Sequence, residues 1–108
     1  MNPLAKIRPL VFRSPRWRAL RRWHLTHYPT CAACGGTSKL EVHHIIPVHV
    51  DRSLELRQDN LITLCASGRR GLNCHLFVGH YGDFRQFNPT APIDAEAIRW
   101  RFFERRGQ

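Results

Sequence analysis

Four cysteines in a chain of 108 residues set the first constraint on its fold. Cys31 and Cys34 are separated by two residues and followed by Gly35-Gly36, a knuckle spacing in which a tight turn lets two thiolates converge on one ion. Cys65 and Cys74 follow later in the chain. The pattern admits a tetrahedral zinc site, two disulfides or unrelated thiols, and the knuckle favours zinc. A chain this short has a small core, so a metal staple would supply what apolar contacts do not.

Between the cysteines lies Leu40-Glu41-Val42-His43-His44-Ile45-Ile46-Pro47, which reads as a short strand that Pro47 stops. Strand side chains alternate between faces, so His43 shares a row with Glu41 and His44 shares one with Val42. Two adjacent imidazoles on opposite rows suit two tasks. One can hold a divalent ion while the other takes a proton from water, for which the ordinary histidine pKa near 6.5 is well placed. A second ligand must come from far along the chain. His75 is the best candidate, because a metal that pins Cys74 also gives its neighbour a defined position.

The rest of the chain is basic and helical at its ends. Seventeen Lys and Arg stand against eight Asp and Glu, a formal charge of +9, and residues 1–30 hold seven basic residues and no acidic one. Arginine's planar fork suits phosphate, which makes nucleic acid the leading partner class. Ser14-Pro15 predicts a helix start, with Arg16 to about His27 helical, Trp17, Ala19, Leu20 and Trp23 on its apolar side, and Arg16, Arg18, Arg21 and Arg22 as a phosphate-tracking surface. Residues 1–13 read as extended, 48–58 as a surface loop, 61–65 as a buried segment or strand, and 66–73 as a Gly/Arg loop whose Arg69 and Arg70 could reach a DNA backbone. His75–His80 reads as one or two helical turns. A last helix is expected to open with Asp94 as its cap and run to Arg105-Arg106, and Phe84, Phe87 and Trp100 are expected to pack on the core. No apolar run reaches membrane-spanning length and no signal peptide is evident, so the expectation is a cytoplasmic protein of a bacterial or phage-infected cell with no membrane association.

Taken together, Cys31-x2-Cys34-Gly35, Leu40-Glu41-Val42-His43-His44-Ile45-x-Pro47, Asn60-Leu61-Ile62-Thr63-Leu64-Cys65 and Cys74-His75 resemble the HNH (His-Asn-His) endonucleases, in particular their small zinc-stapled phage and bacterial members. The likeness covers about residues 14–80. It implies a small α+β zinc-stabilised domain with a ββα-metal (His-Me finger) core and flanking N- and C-terminal helices, one domain over 1–108 with 81–108 as a structural extension. It further implies a structural zinc on Cys31, Cys34, Cys65 and Cys74, and a catalytic divalent ion held by His43 and His75. His44 resembles the general base and Asn60 the residue that braces the loop and orients that base. His80 is an extra candidate ligand.

Two departures stand out. Eight residues separate Cys65 from Cys74 where relatives commonly have two, and His43 occupies a position where relatives place Asp or His. An imidazole there makes Mn2+, Ni2+ or Zn2+ more plausible beside Mg2+. The reading is a metal-dependent endonuclease acting on DNA, nicking or weakly sequence-specific, a monomer or weak dimer. Its rivals are a non-catalytic zinc module that binds nucleic acid, and a packaging-associated protein active only beside a larger phage or host protein.

Overall fold

A computed structural model describes residues 13–68 and 71–104. The expected extended segment before residue 13, Arg69, Arg70 and the Arg105-Arg106 terminus lie outside the described residues.

Helix α1 spans Trp17–His27. Ser14 prepares it, its Oγ accepting from the Arg16 N–H at 3.2 Å and its carbonyl from the Trp17 N–H at 2.9 Å. The inward line is Trp17, Leu20 and His24, whose i, i+3, i+7 spacing is that of one helical face. Trp23 was expected on that face; it is instead exposed and stacked on His27. His24 takes the buried place.

The chain then forms the cysteine knuckle, where Gly35 N–H donates to the Cys31 carbonyl and Cys31 N–H to the Gly36 carbonyl, both at 2.8 Å. Strand β1, Leu40–His44, pairs antiparallel with β2, Leu61–Cys65, in a register that sets His43 opposite Ile62 and His44 opposite Leu61. The long connection between the strands is held at its base by Asn60. Its Oδ1 accepts from the Ile46 N–H at 2.9 Å and its Nδ2 donates to the Ile46 and Leu54 carbonyls at 3.0 and 3.3 Å. Short 3-10 turns at Arg52–Leu54 and Gln58–Asn60 fill the connection. Every residue of β2 is buried, and the Ala32 N–H donates to the Thr63 carbonyl, so the knuckle is sewn to β2.

After the second cysteine pair comes a π-helical turn, His75–Gly79, and then an irregular segment that leads to helix α2, Ala91–Ile98, which widens into a further π-helical turn at Arg99–Phe103. The helix starts three residues before the expected Asp94 cap, with Pro92 in its first turn, where a missing N–H costs nothing. Asp94 serves a different partner: its Oδ2 accepts from Asn88 Nδ2 at 2.7 Å.

The core is small and centred on sulfur. Cys31, Cys34, Cys65 and Cys74 are part of one buried cluster with Ala33, Ile45, Ile62, Leu64, Val78, Ala91 and Ala95. The α+β arrangement with flanking helices is as expected, but the tail packs through Ala91, Ala95, Ile98 and Phe103. Phe84, in the irregular segment, and Trp100, in the π turn after α2, are exposed.

Candidate metal centres and their cleft

The four thiols have the arrangement of a structural zinc site. Their Sγ atoms all lie within 4.8 Å of one another, and none forms a disulfide. Cys34 Sγ and Cys65 Sγ are 3.6 Å apart, against about 3.8 Å expected for sulfurs at tetrahedral corners 2.3 Å from zinc. The knuckle supplies N–H donors to the sulfurs, Cys34 N to Cys31 Sγ and Gly36 N to Cys34 Sγ. Four thiolates this close together would repel one another. A hydrogen bond from Cys74 holds Cys31 down to about 4. Burial pushes Cys65 up to about 11, and the hydrogen bond to Cys31, then burial and the Cys31 charge, push Cys74 up further. A dication relieves that conflict for all four.

Gly68 and Leu72, from the stretch between Cys65 and Cys74, lie against the site. Gly68 lies so close to the sulfurs that a Cβ there would stand 2.5 Å from Cys65 Sγ and 2.6 Å from Cys34 Sγ. Its N–H donates to the Leu72 carbonyl at 2.8 Å, so the long excursion folds back as a lid over the cluster. Cys74 thus completes the four-sulfur cluster despite the unusual spacing.

The second cluster joins His43, His75 and His80. His75 Nε2 lies 3.1 Å from His43 Nδ1 and 3.2 Å from His80 Nε2. Nitrogens 2.0–2.1 Å from a tetrahedral ion are about 3.3 Å apart, so these separations suit a shared ion. The outer partners fix which nitrogen carries the proton. His80 Nδ1 is 2.6 Å from the Gln86 carbonyl, which can only accept, so Nδ1 bears the hydrogen and Nε2 the lone pair. His75 Nδ1 faces the Glu41 carboxylate at 3.5 Å, which likewise leaves a lone pair on Nε2. Two lone pairs thus point at each other across 3.2 Å. A cation between the rings turns this repulsion into coordination, with Glu41 and Gln86 as the outer partners that metal-bound imidazoles require. Burial, then the facing His75 and His80, press His43 down to about 3, so it is a neutral ligand throughout the physiological range.

His44 sits on the other strand face, as the alternation requires. Its Nε2 is 3.0 Å from the Glu55 carbonyl, so Nε2–H donates and Nδ1 is the basic nitrogen. The Trp17 ring covers it at 4.4 Å. Burial lowers its pKa, and the charge of Arg13 adds to the effect. Asn60 makes no hydrogen bond to His44 among those found; it pins the connection that carries Glu55, and Glu55 holds the ring. A cleft of about 520 Å3 reaches both rows and is lined by His43, His44, His75, His80, Arg13 and Phe84, among others. Arg16, Arg18, Arg21 and Arg22 are exposed on α1, whose first residue packs on His44.

Several contributors were not legible as site residues, and His80 was legible only as an extra candidate. His80 had no motif, since a five-residue spacing misses one face of an α-helix, but the π turn brings positions 75 and 80 to the same side. Gly79 permits this turn to lie on His43, for a Cβ there would stand 3.0 Å from Nε2. Arg13, Glu41, Glu55 and Gln86 act on the histidines from elements with no common sequence pattern.

The family model described as HNH endonuclease matches residues 31–76, a stretch that holds the four cysteines, His43, His44, Asn60 and His75 and stops short of His80. No curated protein and no solved structure matches the chain. No helix among the described residues is long and apolar enough to cross a membrane.

Proposed function

We propose that this chain, which carries an HNH endonuclease domain across residues 31–76, hydrolyses DNA phosphodiester bonds at the three-histidine centre, with His44 as general base. The observation that carries the reading is the meeting, in one cleft, of three imidazoles whose nitrogens converge within metal-binding distance and a fourth imidazole whose tautomer leaves Nδ1 free to accept a proton.

His43 Nδ1, His75 Nε2 and His80 Nε2 would hold the catalytic ion, and an all-imidazole set suits Zn2+ or Ni2+, with Mn2+ and Mg2+ as alternatives. When bound, a divalent cation there supplies Lewis-acid stabilisation of charge on the phosphoryl and leaving oxygens. His44 Nδ1 takes a proton from water as the water oxygen bonds to phosphorus. The bond to the 3′ oxygen breaks, leaving a 5′-phosphate and a 3′-hydroxyl. Glu55 and Trp17 hold the His44 ring in place, and its lowered pKa keeps it neutral and receptive at pH 7. Asn60 acts on the base at one remove, by fixing the connection that carries Glu55.

The arginines of α1, with Arg69 and Arg70, supply phosphate contacts, which give affinity without reading sequence. A nicking, weakly sequence-specific enzyme follows, because one centre hydrolyses one bond. The test is nicking of supercoiled plasmid with Mn2+, Ni2+ or Zn2+. His44→Ala is expected to lower the rate about a hundredfold to ten-thousandfold with DNA binding retained in a gel-shift assay. Undiminished cleavage by that variant removes His44 from the role. A wild-type chain that binds DNA yet never cuts it, whichever ion is supplied, is the non-catalytic zinc module; activity that appears only with an added partner marks the packaging-associated alternative.

A further inference from the structure

The segment Asp83–Phe87 presents an aromatic ring at the mouth of the histidine cleft, and it is built to stay there. Phe84 is 60% exposed, yet its ring stands 4.9 Å from the His80 ring and 5.6 Å from the His75 ring. The turn beneath it is closed by the Arg85 N–H on Asp83 Oδ1 at 2.9 Å and the Gln86 N–H on the Asp83 carbonyl at 2.8 Å. The Gln86 carbonyl then accepts from His80 itself. The backbone that carries Phe84 is therefore tied to the His80 ring. Arg85 beside it is almost wholly exposed and tied to Asp83 at 3.1 Å.

We infer that Phe84 is a nucleoside platform: its free face packs against the sugar and base adjacent to the phosphate held at the histidine centre. The inference rests on the nuclease reading above. Successive nucleotides of a strand rise about 3.4 Å, so a ring about 5 Å from the ligand imidazoles is within one or two nucleotides of the reacting phosphate. Every base offers an aromatic face, so such a contact adds affinity and positioning without sequence choice. Arg13 and Arg85 line the same cleft, giving it the charge that a polyanionic strand requires. A ring that only sheltered the imidazoles would have no need of its exposed face.

The experiment sets Phe84→Ala and Phe84→Trp against the wild-type chain on supercoiled plasmid and on methyl p-nitrophenyl phosphate, a diester without a nucleoside, with second-ion affinity measured by calorimetry. Phe84→Ala is expected to lower plasmid kcat/KM about tenfold, the scale of one base–aromatic contact, while the small-diester rate and the ion affinity stay within about twofold. Phe84→Trp is expected to restore plasmid cleavage. Parallel losses on both substrates, or weakened ion binding, overturn the platform in favour of a shield, and unchanged plasmid cleavage by Phe84→Ala overturns it outright. A wild-type chain that cleaves neither substrate overturns the nuclease reading and this inference with it; one that cleaves both leaves Phe84 to be judged alone.

Discussion

Cys74 and His75 are consecutive, yet they belong to clusters that differ in nearly every physical respect. The sulfur cluster is 0–5% exposed, lies in the core, and is closed on all sides by the knuckle, β2 and the Gly68 lid. The imidazole cluster has one ring buried and two half-exposed, and it opens into a cleft. Closed four-ligand sites hold structure, whereas a centre with fewer protein ligands leaves positions for water or substrate. One peptide unit links the two. The thiolate fixes where the π turn starts, and the turn's width carries His75 and His80 to the far side. The inner cluster thereby sets the geometry of the outer one without taking part in its chemistry.

The largest expected effects test that division of labour. Cys74→Ser should abolish the cooperative thermal transition followed by circular dichroism and leave no stoichiometric zinc by elemental analysis. Structural zinc binding is worth roughly 10–16 kcal/mol, which matches or exceeds the whole stability of an ordinary domain, about 5–15 kcal/mol. A Cys74→Ser chain that still melts cooperatively without zinc would break the comparison at its root. His75→Ala, one residue along, should keep the transition and one zinc per chain while losing the second ion and lowering plasmid nicking about a hundredfold or more. If that variant unfolds as Cys74→Ser does, the two clusters are one unit.

Two glycines sharpen the same contrast with smaller effects. Gly68→Ala pushes a methyl group into two zinc-ligating sulfurs, and Gly79→Ala pushes one against His43 Nε2. The first should weaken zinc retention against a chelator and lower the melting temperature. The second should lower second-ion affinity about tenfold, the loss typical when a ligand's supporting contacts are disturbed, and leave zinc in place. Titration of each ion separately reads the two effects, and an exchange of phenotypes would refute the assignment of either glycine.

How much of this could be read beforehand follows from how local each signal was. The knuckle, the first strand and the opposite aims of His43 and His44 were legible, because two-residue spacing and strand alternation are properties of the backbone alone. The four-cysteine site and the choice of His75 as partner to His43 were legible from the adjacency of Cys74 and His75, whereas residues 61–65 were left open between a buried segment and a strand, and their pairing came only through resemblance. His80 stood only as an extra candidate, since its place depends on a π turn that no pattern of apolar residues encodes. The tail was misread for a related reason. Phe84 and Trp100 looked like core because they are large, but the tail reaches the core through Ala91 and Ala95, with Ile98 and Phe103 packed beside them. Asn88 went unnoticed as a single polar residue, although it is 1% exposed and its side chain joins Val78, Tyr81, Thr90 and Asp94, holding the tail that supplies Gln86.

The smallest expected effect concerns a buried imidazole that belongs to neither cluster. His24 is 4% exposed, and both of its ring nitrogens lack a partner, in contrast to the bonded outer nitrogens of His75 and His80. Burial lowers its pKa, so in the folded chain it resists the proton that the unfolded chain accepts near 6.5. As pH falls below that value the unfolded state binds more protons, and folding stability declines. His24→Leu removes the titrating group and keeps an apolar side chain at the site. In zinc-saturated protein, the urea midpoint should therefore fall less steeply between pH 7.5 and 5.5 in the variant than in the wild type. Superimposable acid slopes would mean that His24 accepts its proton in the fold as readily as in water. The ring would then have a polar partner in solution, and the contrast between ligating and merely buried histidines would have to be drawn elsewhere.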